Sequence, residues 1–317
     1  MPRSTQLRQR AQAALVRALA AAWRLFPASA PAALGSCLGA LLYVIDGKHR
    51  PLAIANIERA LACDPGHATR VARGAFRHFG RGVLEITALP RYAGRRAERL
   101  LEVRGLDHLA RAHAGGKGVL VFSGHLGNAD LVALHQARLG FPADVVVRPL
   151  KHAAINALAI EWRERTGNRV LAMKGALAEV RRTLADGGIV ILQIDQNMHN
   201  PPRFFVPFFG RLATVTQSLG LLAVRYRPAV LPVVSIPRSR GRYRIVYGPP
   251  LALPDGGTAE ERAWEATARA TAILEDSVRE NPESWLWQHD RWKDQPREPA
   301  ELEAVARLRA SGRLDLR

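Results

Sequence analysis

Beyond Leu101 the chain alternates short apolar runs with longer stretches of helical periodicity, and this alternation constrains the fold more tightly than any other feature. The runs are Val119 to Phe122, Asp144 to Val147, Arg169 to Ala172, Ile189 to Ile194, Val230 to Ile236 and Tyr243 to Tyr247. Such spacing predicts an α/β fold, in which β-α units build a mostly parallel central sheet flanked by helices on both faces. Before the runs begin, between Arg50 and Leu89, apolar residues recur every three or four positions and turn signals stand at Asp64, Pro65 and Gly66, predicting two or three helices. Thr258 to Glu280 predicts one long helix, and the residues after Asp294 a charged, mobile helical extension.

In open parallel sheets, sites gather at the carboxyl ends of the strands. His125, Arg148 and Asp195 each follow a predicted strand, so three residues far apart in sequence are expected on one sheet edge. The run Gly118 to Leu131, GVLVFSGHLGNADL, places His125 in a strand-to-helix turn and Asp130 in the first turn of a helix capped by Asn128. Inside a single helix, five positions would point the two side chains about 140° apart; the turn is what would let them meet. An imidazole held by a carboxylate has its tautomer fixed, and its other nitrogen can take a proton near neutral pH. The alternative is a surface or structural pair. Ser123 lacks a flanking Gly-x-Ser-x-Gly elbow and reads as a turn residue rather than a nucleophile. The amides of Gly127 and Asn128, at a helix N-terminus, are candidates to hold an oxyanion or a phosphate.

Arg148 follows a β-branched run and precedes Pro149, a strand-end position suited to bidentate phosphate contacts. Asp195 and Gln196 close the run Ile189 to Ile194; the acid would orient a substrate hydroxyl, pair with Arg148, or cap the next segment. The segment Phe204 to Phe209, FFVPFF, holds four of the nine phenylalanines, and is read as a loop. It offers Phe205 and Phe208 as walls of an apolar groove, or else plain core. Trp285, Trp287 and Trp292 would form a membrane-surface belt or, more simply, pack the C-terminal part onto the sheet.

The 46 Lys and Arg against 28 Asp and Glu leave a formal charge of +18, which attracts anions: phospholipid headgroups, phosphorylated sugars, acidic carrier proteins or nucleic acid. Nucleic acid is the poorest fit, because no binding motif occurs and the aromatic content of 6% leaves few stacking platforms. The two cysteines, Cys37 and Cys63, have no metal-ligand spacing and suit a reducing compartment. The first 24 residues carry Arg3, Arg8, Arg10, Arg17 and Arg24 without an acid, forming a basic amphipathic stretch. From Leu25 to Ile45 there is no charge, but Pro27 and Pro31 interrupt the first third and leave Ala32 to Ile45 marginal as a span. An inserted or interfacial helix, or a packed soluble one, fits the same residues.

In the order HLGNAD, VVVRPL, ILQIDQN, VPFFGR and PESWLWQHDRWK, from about Asn56 to Lys293, the chain resembles the late lauroyl and myristoyl acyltransferases of lipid A biosynthesis, within the lysophospholipid acyltransferase superfamily. Mycobacterial mannoside acyltransferases belong to the same group. The resemblance implies that His125 is the catalytic base and Asp130 its partner in HxxxxD. It also implies that Arg148, and basic residues of the following helix here represented by Arg163 and Arg165, bind acceptor phosphates or the carrier's phosphopantetheine, and that Asp195 and Gln196 belong to the site. Of these, Arg163 reads best as a solvated charge. The Pro-Glu-Gly-Thr block of the phospholipid-making branch is missing, which favours a glycolipid acceptor. Asp130, where many lipid A enzymes carry Glu, keeps the mannoside branch open.

The expectation is therefore an acyltransferase. Residues 1–46 would form a membrane-associating segment, 47–293 the α/β domain and 294–317 a charged tail. It would move a fatty chain from acyl carrier protein or coenzyme A, with no cofactor or metal, to an anionic glycolipid at the cytoplasmic face of the inner membrane. A thioesterase and a non-catalytic basic membrane-binding protein are the alternatives.

Overall fold

Apolar periodicity across the first ninety residues resolves into four helices: α1 (Arg3–Ala22), α2 (Ser29–Ile45), α3 (His49–Leu61) and α4 (Pro65–Tyr92). The computed structural model describes residues 3–27 and 29–315, without the side chains of residues 3–7, 95 and 96. The outermost residues of the expected N-terminal segment and C-terminal tail, 1–2 and 316–317, lie outside the described residues, as does residue 28. The Asp64-Pro65 signal starts α4: the Asp64 carboxylate accepts from the His67 amide while Pro65 occupies the first turn.

Helix α2 lies directly against α4 through glycines. A Cβ on Gly39 would stand 2.0 Å from the Phe76 carbonyl oxygen, and one on Gly80 2.4 Å from the Gly39 nitrogen, so the two backbones touch where no side chain intervenes. The far side of α2 turns Leu34, Leu41, Val44 and Ile45 outward. Among the described residues no single helix is long and apolar enough to cross a membrane; α2 and α3 together pass on length and composition but are bent by 96°. Helix α1 is tied down by the buried Trp23 just after it, whose Nε1 donates to Thr87 Oγ1, and by an exposed Arg17–Glu161 pair.

The alternating region continues with β1 (Leu101–Arg104), α5 (Leu106–Ala114), β2 (Val119–Ser123), α6 (Ala129–Arg138), β3 (Ala143–Val147), α7 (Ala153–Glu164), β4 (Arg169–Ala172), α8 (Leu177–Ala185) and β5 (Ile189–Gln193). After an antiparallel hairpin, β6 (Arg203–Phe208) and β7 (Arg211–Thr216), come α9 (Ser218–Tyr226), β8 (Ala229–Pro237), β9 (Tyr243–Tyr247), α10 (Ala259–Glu280) and α11 (Pro299–Ala310). Seven strands form one sheet in the order β1-β9-β8-β2-β5-β3-β4, and every neighbouring pair is parallel except β8 and β9. The six predicted runs match strands to within a residue at each end. The central strand β2 is buried along its whole length, as a strand covered on both faces must be.

Two expectations are corrected here. FFVPFF is a strand and the hairpin turn that follows it, and Phe209 and Gly210 at that turn both take positive φ, 52° and 67°, as a tight two-residue reversal requires. Phe204, Phe205, Phe208 and Phe209 are all buried in the main core, where Phe208 stacks on Trp292 and Trp264 donates to the Phe205 carbonyl. The C-terminal extension is docked: Val305 and Leu314 join the same core, and Glu301 pairs with Arg203 at 2.9 Å.

Candidate active site

The register of β2 on β5 decides the geometry of the site. Ser123 pairs with Gln193 at the carboxyl ends of the two strands, and the Ile194 amide donates to the Ser123 carbonyl. The residues two positions beyond each paired end, His125 and Asp195, are thereby brought face to face. The His125 Nδ1 lies 2.8 Å from Asp195 Oδ1, and the His125 backbone amide donates to Oδ2 at 2.6 Å. Trp285 Nε1 supplies a third bond to that carboxylate at 2.8 Å. Gly124 is required between them, since a Cβ there would sit 2.8 Å from Asp195 Oδ2.

The two groups set each other's charge. Burial opposes ionisation of Asp195, but the neighbouring imidazole, its two hydrogen bonds and the Trp285 indole outweigh it and hold the carboxyl down at about 2. For His125 burial acts to lower the pKa, and the attraction of Asp195, the shared hydrogen bond and the weaker field of Asp130 more than reverse it, leaving the value raised. The ionised carboxylate keeps the proton on Nδ1, so Nε2 is the acceptor; it stands 3.2 Å from the Gln196 amide nitrogen at the wall of a cavity of about 590 Å³.

Asp130 is not the orienting partner in this structure. It lies on the cavity wall as expected, but Arg163 grips both of its oxygens, at 2.7 and 3.1 Å. Arg163, read from sequence as a solvated charge, is mostly buried, whereas Arg165 is exposed and paired with Glu161 at 3.0 Å, outside the cavity lining. The difference follows from helical phase: two positions along α7 reverse the side a residue faces. Arg148 does reach the cavity from the end of β3, and among the described residues it has no hydrogen-bond or carboxylate partner.

The Gly127 and Asn128 amides are corrected as oxyanion or phosphate donors, because both are already engaged. Gly127 N–H donates to the Ser284 carbonyl at 2.8 Å and Asn128 N–H to Ser235 Oγ at 2.6 Å. Gly127 holds a φ of 72° and a Cβ would collide with the Ser235 carbonyl oxygen at 1.5 Å, so the turn that presents His125 depends on glycine. Asn128 caps α6 by accepting from the Asp130 amide and reaches the fully buried Glu85, which also takes Arg81 at 2.8 Å and the Tyr243 hydroxyl. This network braces the turn from behind. Phe205 and Phe208, offered as an acyl pocket, do not line the cavity. Its apolar walls come instead from α4 and from β3 and β5, with Phe79, Val83, Val145 and Ile191 among them.

The comparisons with known proteins bear on this arrangement. The model of the bacterial lipid A biosynthesis acyltransferases matches residues 1–294. The chain belongs to that family. It is 24% identical over 269 residues to the lipid A biosynthesis palmitoleoyltransferase of Escherichia coli K12, covering 83% of this chain and 85% of that protein. To the lipid A biosynthesis lauroyltransferase of the same strain it is 27% identical over 223 residues, 70% of this chain and 71% of the other. Similarity extends to the phosphatidylinositol mannoside acyltransferase of Mycobacterium tuberculosis H37Rv, at 26% over 221 residues, 68% and 67% of the two chains.

In this lipid A acyltransferase-family enzyme three parts of the site carried no signal in the sequence. His78 lines the cavity from α4, its Nε2 3.1 Å from the Gly127 carbonyl, and burial drives its pKa down to about 4. Nothing in the helical stripe of α4 distinguishes it from a surface histidine. Trp285 as a donor to Asp195, and the Asp130–Arg163 pair, arise from contacts across 90 and 33 positions that only the fold reveals.

Proposed function

We propose that the protein transfers a fatty acyl group from a thioester, on acyl carrier protein or coenzyme A, to a hydroxyl of a phosphorylated glycolipid such as a lipid A precursor. The observation that carries this reading is His125, its Nδ1 fixed by an ionised Asp195 and its Nε2, beside the Gln196 amide, at the wall of a cavity with apolar walls and a cationic rim. The acceptor oxygen attacks the thioester carbonyl carbon as its proton passes to Nε2. When the tetrahedral intermediate collapses, the carbon–sulfur bond breaks and the same proton goes to the leaving sulfur. Attack is direct rather than through an acyl-serine, since Ser123 is buried at the end of β2 and outside the cavity lining. The Gln196 amide donates to Nε2 in the resting site and is released toward the developing oxyanion once that nitrogen takes the proton.

Arg148, unpaired at the rim with Lys151 near it, suits a phosphate of the acceptor or of the donor's prosthetic arm. The apolar walls suit the fatty chain, each methylene contributing about 0.8 kcal/mol on burial. The outward stripe of Leu34, Leu41, Val44 and Ile45 on α2, together with the basic residues of α1, supports an enzyme lying on the cytoplasmic face of the inner membrane. Labelled acyl carrier protein or acyl coenzyme A, incubated with purified protein with and without a lipid A precursor, tests the reading. Label moving to the glycolipid is the expected result. Release of free acid regardless of acceptor would make it a hydrolase, and no turnover with either donor would leave only binding.

A further inference from the structure

Helix α4 carries four glycines, and three of them have a steric reason to be there. A Cβ on Gly66 would meet the Asp64 carboxylate at 2.9 Å, one on Gly74 the Glu283 side chain at 2.5 Å, and one on Gly80 the backbone of α2 at 2.3 Å. Gly82 has none: nothing lies within 4 Å of its Cβ position. Glycine in the interior of a helix is unfavourable relative to alanine, so an unhindered glycine at mid-helix carries a cost that local packing does not explain.

The space beside Gly82 is the reaction cavity. Ala75, His78, Phe79, Gly82, Val83 and Ile86 fall at helical spacing on one face of α4 and together form one wall of it. The stripe runs about 16 Å along the helix axis at 1.5 Å per residue. Phe79 and Val83, each 41% exposed, leave large apolar surface uncovered beside the glycine gap, and Val145 and Ile191 of the sheet line the same cavity. His78 connects the wall to the His125 turn through the Gly127 carbonyl.

We propose that Gly82 is the specificity-determining position for the fatty chain: its missing side chain opens the groove in which the acyl tail of the donor lies along α4. The tail, rather than the glycolipid headgroup, is the occupant because Phe79, Val83 and Ile86 make this stretch of the wall apolar, whereas the cations Arg148 and Lys151 line the cavity from a different part of the fold, the segment between β3 and α7. The inference rests on the acyl-transfer reading above.

Gly82→Ala and Gly82→Leu, assayed with donors of graded chain length on one acceptor, test it. Gly82→Ala is expected to raise the unfolding midpoint by roughly 2 °C through helix propensity alone and to shift preference modestly toward shorter chains. Gly82→Leu is expected to lower kcat/KM for the longest chains at least tenfold more than for the shortest. An equal loss at every chain length would overturn the proposal. Displacement of a fluorescent fatty acid by free fatty acids of graded length separates the two readings. If wild-type protein transfers nothing yet binds fatty acids with a length preference that Gly82→Leu shortens, the groove stands and the transfer reading falls. Length-independent binding, or none, overturns the groove.

Discussion

Asp130 and Arg163 meet side-on across the cavity wall, the guanidinium Nε and Nη2 donating to separate carboxylate oxygens. The pairing occupies both oxygens of the acid that the HxxxxD spacing nominates and leaves the imidazole of His125 to Asp195. Since both partners are mostly buried, loss of one leaves the other charged and unpaired. Asp130→Asn should therefore destabilise the fold by about 2–3 kcal/mol, and the double variant Asp130→Asn with Arg163→Met should regain most of it. Chemical denaturation of the four proteins of this cycle checks the claim; additive losses would refute it.

Asp195→Asn should lower kcat by about 10²–10⁴-fold, as loss of a tautomer-fixing carboxylate does. The sign of the pH effect is specific. With Asp195 in place the His125 pKa is raised, so the base is neutral, and transfer fast, only above a limb lying higher than the ordinary 6.5. Without Asp195 burial prevails and the limb should move below 6.5. A kcat/KM profile between pH 5 and 9 shows this; an unmoved limb would remove Asp195 from the dyad. By the same linkage, the pair's contribution to stability is full between the ordinary values of the two groups, 3.8 and 6.5; it fades as pH rises through the raised His125 value and as pH falls toward the Asp195 value of about 2.

His78 works in the opposite direction. Its folded pKa of about 4 lies below the ordinary 6.5, so the unfolded chain takes up a proton that the folded one refuses, and stability falls as the pH drops from 6.5 toward 4. His78→Gln keeps a donor for the Gly127 carbonyl and removes that proton uptake. Its melting temperature should depend less on pH in this window than that of the parent; parallel curves would show that His78 titrates normally.

Arg148→Ala should raise KM for the phosphorylated substrate by roughly 10–100-fold, the range for a lost charge-assisted hydrogen bond. Arg165→Ala, on the exposed side of α7, serves as the control and should leave the kinetics within twofold. Equal effects from the two would indicate a diffuse electrostatic field rather than a contact.

Gly127→Ala places a Cβ against the Ser235 carbonyl oxygen at a φ of 72° and should cost about 3 kcal/mol or more, with activity lost alongside. Calorimetry would show the drop in unfolding temperature; a variant as stable as its parent would mean that the turn relaxes freely.

How much of this was legible beforehand depended on whether the determining contact is local. Strand runs such as Val119 to Phe122 and Ile189 to Ile194 read correctly because burial on both faces writes itself as near-continuous apolar character. The Asn128 cap was visible because it acts locally, within two residues. Convergence of His125, Arg148 and Asp195 on one edge followed from parallel topology alone. The partner of His125 did not, because it is set by the register of β2 on β5, a relation between segments 70 positions apart. FFVPFF misled for a related reason: phenylalanines that pack on Trp285 and Trp292 look, in one dimension, the same as phenylalanines lining a groove. Strand β1, with charges at two of four positions on a sheet edge, gave no apolar run to detect.

The glycine-to-glycine seam between α2 and α4 has a practical corollary. The segment that a hydropathy scan would assign to lipid is the buttress behind the helix that walls the reaction chamber. Trimming it away to obtain a better-behaved soluble fragment would expose the back of α4 and let that wall drift from the imidazole it faces.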